Sequence, residues 1–133
     1  MTDSRRSIAM VSILVPDYQA GIDYYCRILG FELSEDTLLE DGKRWVRVTP
    51  GGGSGFCLLL ARAVGPRQHE AIGDQSGGRV FLFLETSDFA ADYALYAARG
   101  VKFREQPRNE DYGIVAVFED AFGNLWDLIE PRR

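Results

Sequence analysis

Two residues of the chain, Arg79 and Asp127, have the types and placement to do chemistry. Arg79 opens the apolar run Arg79-Val80-Phe81-Leu82-Phe83-Leu84-Glu85, and Asp127 lies inside Trp126-Asp127-Leu128-Ile129-Glu130. Both runs read as β-strands, whose side chains alternate between faces. If the two charges share a face, Arg79 would hold a carboxylate or phosphate, and Asp127 would orient the ligand or take a proton. Asp127 is thus the best catalytic candidate. The plainer reading is a structural ion pair, because an unpartnered charge in a concave site is costly. Trp45 and Arg47 also share a strand face, and an aromatic ring beside a cation is a common ligand device. Tyr112 stands at a Tyr-Gly step where it would cover a site or pack a turn.

Other chemistries lack their residues. His69 is the single histidine, so no multi-histidine site forms within one chain, and a surface position is expected for it. Cys26 and Cys57 read as small core residues, not nucleophiles or a disulfide framework. No serine sits in a nucleophile elbow. Gly51-Gly52-Gly53-Ser54-Gly55 leads into a strand, whereas a phosphate-binding loop opens a helix.

The elements that must position these residues form a duplication. Ile8 to Val15 is an apolar run with Ser12 its one polar member, read as a strand buried on both faces. Asp17 is an N-cap, and Ile22, Tyr25, Cys26 and Leu29 form one helical stripe ended by Gly30. Phe31 to Leu33 starts a strand, Asp41-Gly42 marks a hairpin before Trp45 to Val48, and Phe56 to Ala61 closes the module. The second half repeats this order. Arg79 to Glu85 is a strand, and Asp88 or Ser87 caps a helix through Arg99. Val101 to Phe103, Ile114 to Phe118 and Trp126 to Glu130 are strands. The spacing from Met10 to Arg79 equals that from Leu58 to Asp127. The order is βαβββ twice, an α+β fold whose helices lie outside a curved mixed sheet. One domain over 5–131 is expected, with modules at about 8–61 and 79–131. The polar, glycine-bearing linker 62–78 is long for a loop in a compact domain, which suggests a lid or an inter-module crossover.

The chain has 133 residues and a net charge of −5. That balance argues against nucleic acid or an anionic membrane as partner. The N-terminal residues lack the apolar stretch of a signal peptide, and no run is long enough to span a bilayer. A reduced, cytoplasmic protein is the expectation.

These residues resemble the vicinal oxygen chelate superfamily, which includes glyoxalase I, extradiol dioxygenases and bleomycin resistance proteins. The resemblance runs from about Ile8 to Pro131. Leu14-Val15-Pro16-Asp17, Tyr24-Tyr25 through Leu29-Gly30-Phe31, and Arg99-Gly100-Val101-Lys102-Phe103 carry it. So do Tyr112-Gly113 and Phe118 to Trp126. In metal-dependent relatives each of four strands supplies one ligand. The matching positions here are Met10, Leu58, Arg79 and Asp127, and only Asp127 is an ordinary ligand for a catalytic divalent ion. The resemblance makes the face bearing those four residues concave, and strand alternation adds Ser12, Phe81 and Phe83 to it. It also implies a homodimer, which would cover apolar sheet faces that one module cannot. The expected function is metal-independent binding of a partly apolar or aromatic small molecule with an anionic group near Arg79. Drug sequestration, as in bleomycin resistance, belongs to this class. No cofactor is expected, and a divalent metal is not supported by the ligand positions. The alternative is a glyoxalase-like lyase or isomerase, or a dioxygenase-like enzyme, with a degenerate metal site.

Overall fold

The computed structural model describes residues 3–51 and 55–133. Most of the glycine-rich loop, residues 52–54, lies outside the described residues. The first half contains β1 (Met10–Val15), α1 (Tyr18–Ile22) continued by a π-helical turn (Asp23–Ile28), β2 (Glu32–Leu38), β3 (Arg44–Thr49) and β4 (Cys57–Arg62). A short helix α2 (Gly65–Ala71) follows. The second half contains β5 (Val80–Glu85), α3 (Phe89–Ala98), β6 (Lys102–Phe103), β7 (Arg108–Glu110), β8 (Gly113–Glu119) and β9 (Leu125–Pro131). The strands form two mixed sheets, β1-β4-β3-β2 and β5-β9-β8-β6, with β7 added on β8. In each sheet the opening strand runs parallel to the closing strand. This is the expected α+β fold of two βαβββ modules, with β7 as an extra short strand.

Local signals account for the elements. The Asp17 carboxylate accepts the Ala20 N–H at 2.8 Å, and Asp88, not Ser87, accepts the Ala91 N–H at 3.1 Å. Each satisfies one free donor at a helix start. The hairpin at Asp41-Gly42 holds both residues at positive φ, 59° and 75°, as a tight turn between antiparallel strands requires. The first helix departs from its 3.6-residue stripe. Its C-terminal part widens, with the Leu29 N–H donating to Tyr24 O and the Phe31 N–H to Tyr25 O. The widened turn lets two successive tyrosines reach inward: Tyr25 is fully buried, and the Tyr24 ring meets both Tyr25 and Phe122 edge-on.

The segment 62–78 is a packed crossover rather than a free loop. It carries α2, begun by Pro66 in the first helical turn. Gln75 then lies along β1, its amide nitrogen donating to Ser12 O at 3.1 Å and its oxygen accepting the Leu14 N–H at 2.8 Å. Gly73 passes so close to the second module that a Cβ there would lie 2.1 Å from the Phe122 carbonyl oxygen.

One core joins the modules. Ile13, Val15, Val46, Val48, Leu58 and Leu60 come from the first sheet, and Ala116, Phe118, Trp126 and Leu128 from the second. Helical Tyr25, Leu29, Phe89 and Tyr96 complete it. Across the junction, Tyr25 packs on Trp126, and the Tyr96 hydroxyl donates to Leu29 O at 2.7 Å. Buried Asp120 closes the contact. One of its oxygens accepts from Tyr25 Oη (2.6 Å), Trp126 Nε1 (3.0 Å) and Asn124 Nδ2 (3.0 Å). The other accepts the Phe122 and Asn124 backbone N–H groups. Burial, then the Asp120 charge, pushes the Tyr25 phenol well above its usual pKa, so it stays a donor. With the inner faces used this way, the opposite sheet faces are left uncovered.

Candidate functional site

The second sheet's outer face holds the strongest constellation. Register sets it: Asp127 lies opposite Phe83 on β5 and Val117 on β8, so these three side chains share a face. Arg79 stands just before β5. Arg79, Val80, Phe83 and Asp127 line an open hollow of about 610 Å³. Phe83 is 66% exposed, an unusual cost for an aromatic ring in the middle of a strand. A second hollow of similar size lies at the seam between the sheets, where Phe56 faces Phe83, Glu85 and Ile129.

Asp127 is the chemically distinctive group. Its Oδ1 is buried and accepts no hydrogen bond among the described residues. Burial raises its pKa above the usual carboxylate value. Arg108 pulls the pKa down and Glu105 pushes it up. Burial outweighs the pull of Arg108, which is also engaged elsewhere. Its guanidinium lies 3.0 Å from Glu105 and 3.5 Å from Glu110, and Glu105, then Tyr112, holds its own pKa up. The other Glu105 oxygen accepts the Val117 N–H at 2.9 Å. Asp127 therefore presents a partly desolvated oxygen with unused hydrogen-bonding capacity.

The expected site residues divide into groups. Arg79, Phe83 and Asp127 come together, but no ion pair joins Arg79 to Asp127 among the described residues, and Arg79 is exposed. Met10, Ser12 and Arg47 lie on the outer face of the other sheet, where Arg47 faces Leu59 and pairs with Glu35 at 3.1 Å. Trp45 is on that face too, at the far end of β3. Several expectations need correction. Leu58 is 2% exposed and belongs to the core. The parallel register sets it opposite Val11, not Met10, so β4 turns Leu58 and Leu60 inward and Leu59 and Ala61 outward. Cys57 consequently lies on the Met10 side, opposite the helix-facing side expected for it. Phe81 also leaves the outer face. The β5–β9 register shifts between Val80 and Leu82, and Phe81 packs against the core. Tyr112 is exposed near Arg108 and does not line the hollow. His69 is exposed on α2, with Nδ1 2.9 Å from Gly65 O.

Sequence reasoning missed Glu105, Arg108 and Val80. The two charges lie in the polar stretch that leads into β7, where nothing in residue type separates site from surface. At the four family positions the donors are few. Leu58 points into the core, Arg79 carries positive charge, and Met10 offers only a soft thioether from the other sheet. Among the described residues no cluster of three or more His, Cys, Asp or Glu side chains is arranged to hold an ion.

Two βαβββ modules with open outer faces define the class, and sequence comparison agrees. The model of the Glyoxalase/Bleomycin resistance protein/Dioxygenase superfamily matches residues 7–128, and the chain belongs to that superfamily. A protein of Shewanella frigidimarina (strain NCIMB 400) is 53% identical over 127 residues, covering 95% of this chain and 94% of the relative. Among solved structures, UcmS2 superposes with a TM-score of 0.82 at 25% identity, covering 96% of this chain and 99% of its own. TnmS3, described as an antibiotic binding protein from Streptomyces sp. CB03234, superposes with a TM-score of 0.79. It is 30% identical, over 98% of this chain and 100% of its own. No helix among the described residues is long and apolar enough to cross a membrane.

Proposed function

We propose that this chain is a metal-independent binding protein for a partly apolar or aromatic small molecule that carries an anionic group. The observation that carries the reading is the exposed Phe83 ring between uncommitted Arg79 and the unpartnered Asp127 oxygen. The ring offers a stacking surface, the guanidinium an anchor for the anion, and Asp127 a hydrogen-bond partner for a hydroxyl or amine. The similarity to TnmS3, an antibiotic binding protein, supports the class. The ligand positions support the absence of a metal requirement, since one carboxylate is too few donors for a tight site. A homodimer that sets uncovered sheet faces against each other would enclose the hollow.

Thermal-shift titration with aromatic carboxylates of three or more fused rings and their neutral amides tests this reading. At about a hundredfold excess over Kd, a true ligand adds about 2.7 kcal/mol of stability. The carboxylates should stabilise, a chelator should leave the effect intact, and Arg79→Ala should weaken binding about tenfold or more. Arg79 is exposed and enters no ion pair among the described residues, so the same change should cost under about 0.5 kcal/mol of stability. Binding that requires added Zn²⁺ or Mn²⁺, or that ignores Arg79→Ala, would refute the proposal.

A further inference from the structure

A second site lies at the other end of the molecule, where the first sheet splits. The β3–β4 ladder spans only Val46↔Leu60 to Val48↔Leu58. Beyond it β3 stays with β2, to the Leu38↔Arg44 pair, while β4 stays with β1, to the Val15↔Arg62 pair. The strands therefore part, and Trp45 and Ala61 face each other across a wedge of about 230 Å³. We propose that this wedge binds a compact aromatic carboxylate, independently of the Arg79–Asp127 hollow.

The walls and rim differ in character. Leu39, Trp45 and Val64 form apolar walls that meet solvent; Trp45 is 37% and Val64 62% exposed. The rim gathers Lys43, Arg44 and Arg62, in a chain whose net charge is −5. Tyr18 fixes two of these cations. Its buried ring has the Arg44 guanidinium carbon 5.4 Å from the centroid and that of Arg62 5.3 Å away. Arg44 spends its fork on Asp36, through Nε at 3.1 Å and a terminal nitrogen at 2.6 Å. Lys43 and Arg62 enter no ion pair among the described residues. Lys43 also borders Glu40 and Asp41 in the adjoining hollow, whereas Arg44 and Arg62 sit on one ring with Asp36 their single ion-pair partner among the described residues, a local positive excess. An anion at the rim would relieve it, while the ligand body takes the wedge and covers the apolar walls. Guanidinium geometry favours a planar carboxylate. The volume is below the usual range for drug-sized ligands, so the body is one or two rings. The hollow beside Phe83, at about 610 Å³, suits larger molecules.

The experiment is titration of 2-naphthoate into ¹⁵N-labelled protein. The chain has two tryptophans, and their indole N–H signals make an internal control. Trp45 lines the wedge, whereas the Trp126 indole is buried and donates to Asp120. Saturable movement of the Trp45 indole signal with Trp126 unmoved is expected. The neutral 2-naphthamide should bind about tenfold more weakly, as befits loss of a charge-assisted hydrogen bond. Arg62→Gln should bring acid and amide to similar affinity, and Arg62→Lys should restore part of the difference. Because Arg62 packs on Tyr18, Lys43→Gln on an exposed side chain provides a second variant, expected to weaken naphthoate in the same direction. Equal binding of acid and amide to the wild type would overturn the proposal, as would an unmoved Trp45 with shifts confined to residues around Phe83. Naphthoate affinity unchanged in both variants would do the same.

Discussion

Replacing Asp120 by Asn tests whether one carboxylate holds the two modules together. Asn is nearly the same size, so packing is preserved and only hydrogen bonding changes. In the wild type every group facing Asp120 is a donor. Tyr25, Trp126 and the Asn124 side chain point at one oxygen, and two backbone N–H groups point at the other. An amide must turn its NH₂ toward one of these sets, so donors meet donors in either orientation. Trp126 and Asn124 are 3% and 1% exposed, and water does not reach them to compensate. Each stranded buried donor costs about 1–3 kcal/mol, and the costs overlap because the groups share one site. The expected loss is about 4 kcal/mol. For a chain of this size that lowers Tm by about 12 °C. Tyr25→Phe removes one donor and leaves the rest, so about 1–2 kcal/mol is expected. Urea denaturation followed by Trp126 fluorescence measures both. A loss under about 1 kcal/mol for Asp120→Asn, or a larger loss for Tyr25→Phe than for Asp120→Asn, would show that the Asp120 carboxylate does not organise this junction.

Asp127 should titrate in the opposite sense to a salt-bridged carboxylate. Its folded pKa is raised, so the native state binds more protons than the unfolded state between the two values. Its contribution is fully present below the unfolded value near pH 4 and is lost as pH rises through the folded one. Asp127→Asn should therefore gain stability relative to wild type between about pH 4 and pH 7; urea midpoints at both pH values check this. Gly73→Ala forces a Cβ against the Phe122 carbonyl at φ +75°, and a loss of about 2–4 kcal/mol is expected in thermal melts. Light scattering at micromolar concentration should give twice the chain mass, and a monomer mass would count against enclosure of the hollow by a second copy.

The duplication was legible because polar punctuation survived in both halves. Asp17 and Asp88 cap the helices, and Asp41-Gly42 turns the first hairpin. β1 was read as buried on both faces; the structure buries Ile13 and Val15 but exposes Ser12, the one polar cue in the run. β4 gave no such cue. Cys57 to Ala61 is apolar at every position, so alternation has no phase to read. Placing Leu58 opposite Met10 depended on the resemblance, and the parallel register moves it by one residue. β5 failed for the same reason. In Val80 to Leu84 an extra residue changes no hydrophobic pattern, so the displacement of Phe81 left no trace. Arg79 and Asp127 were found because they are charges set in apolar strands. Glu105 and Arg108 were not, because they are charges in a polar segment. The helix in 65–71 was hidden by its glycine and polar content, which resembles a loop until Pro66 is seen at its start.

Gln75 has a consequence for how copies of this chain can meet. A strand with a free edge invites another strand to add to it, in orderly assembly or in aggregation. On β1 that invitation is already answered, because a side-chain amide imitates the donor and acceptor of a neighbouring backbone at Ser12 and Leu14. An incoming strand would first have to dislodge Gln75 and the crossover that carries it. Continuous sheets running from one subunit to the next through β1 are thereby disfavoured, and association is steered toward contact between sheet faces. A single glutamine in a stretch that looked like spacer thus acts as a gatekeeper of quaternary geometry.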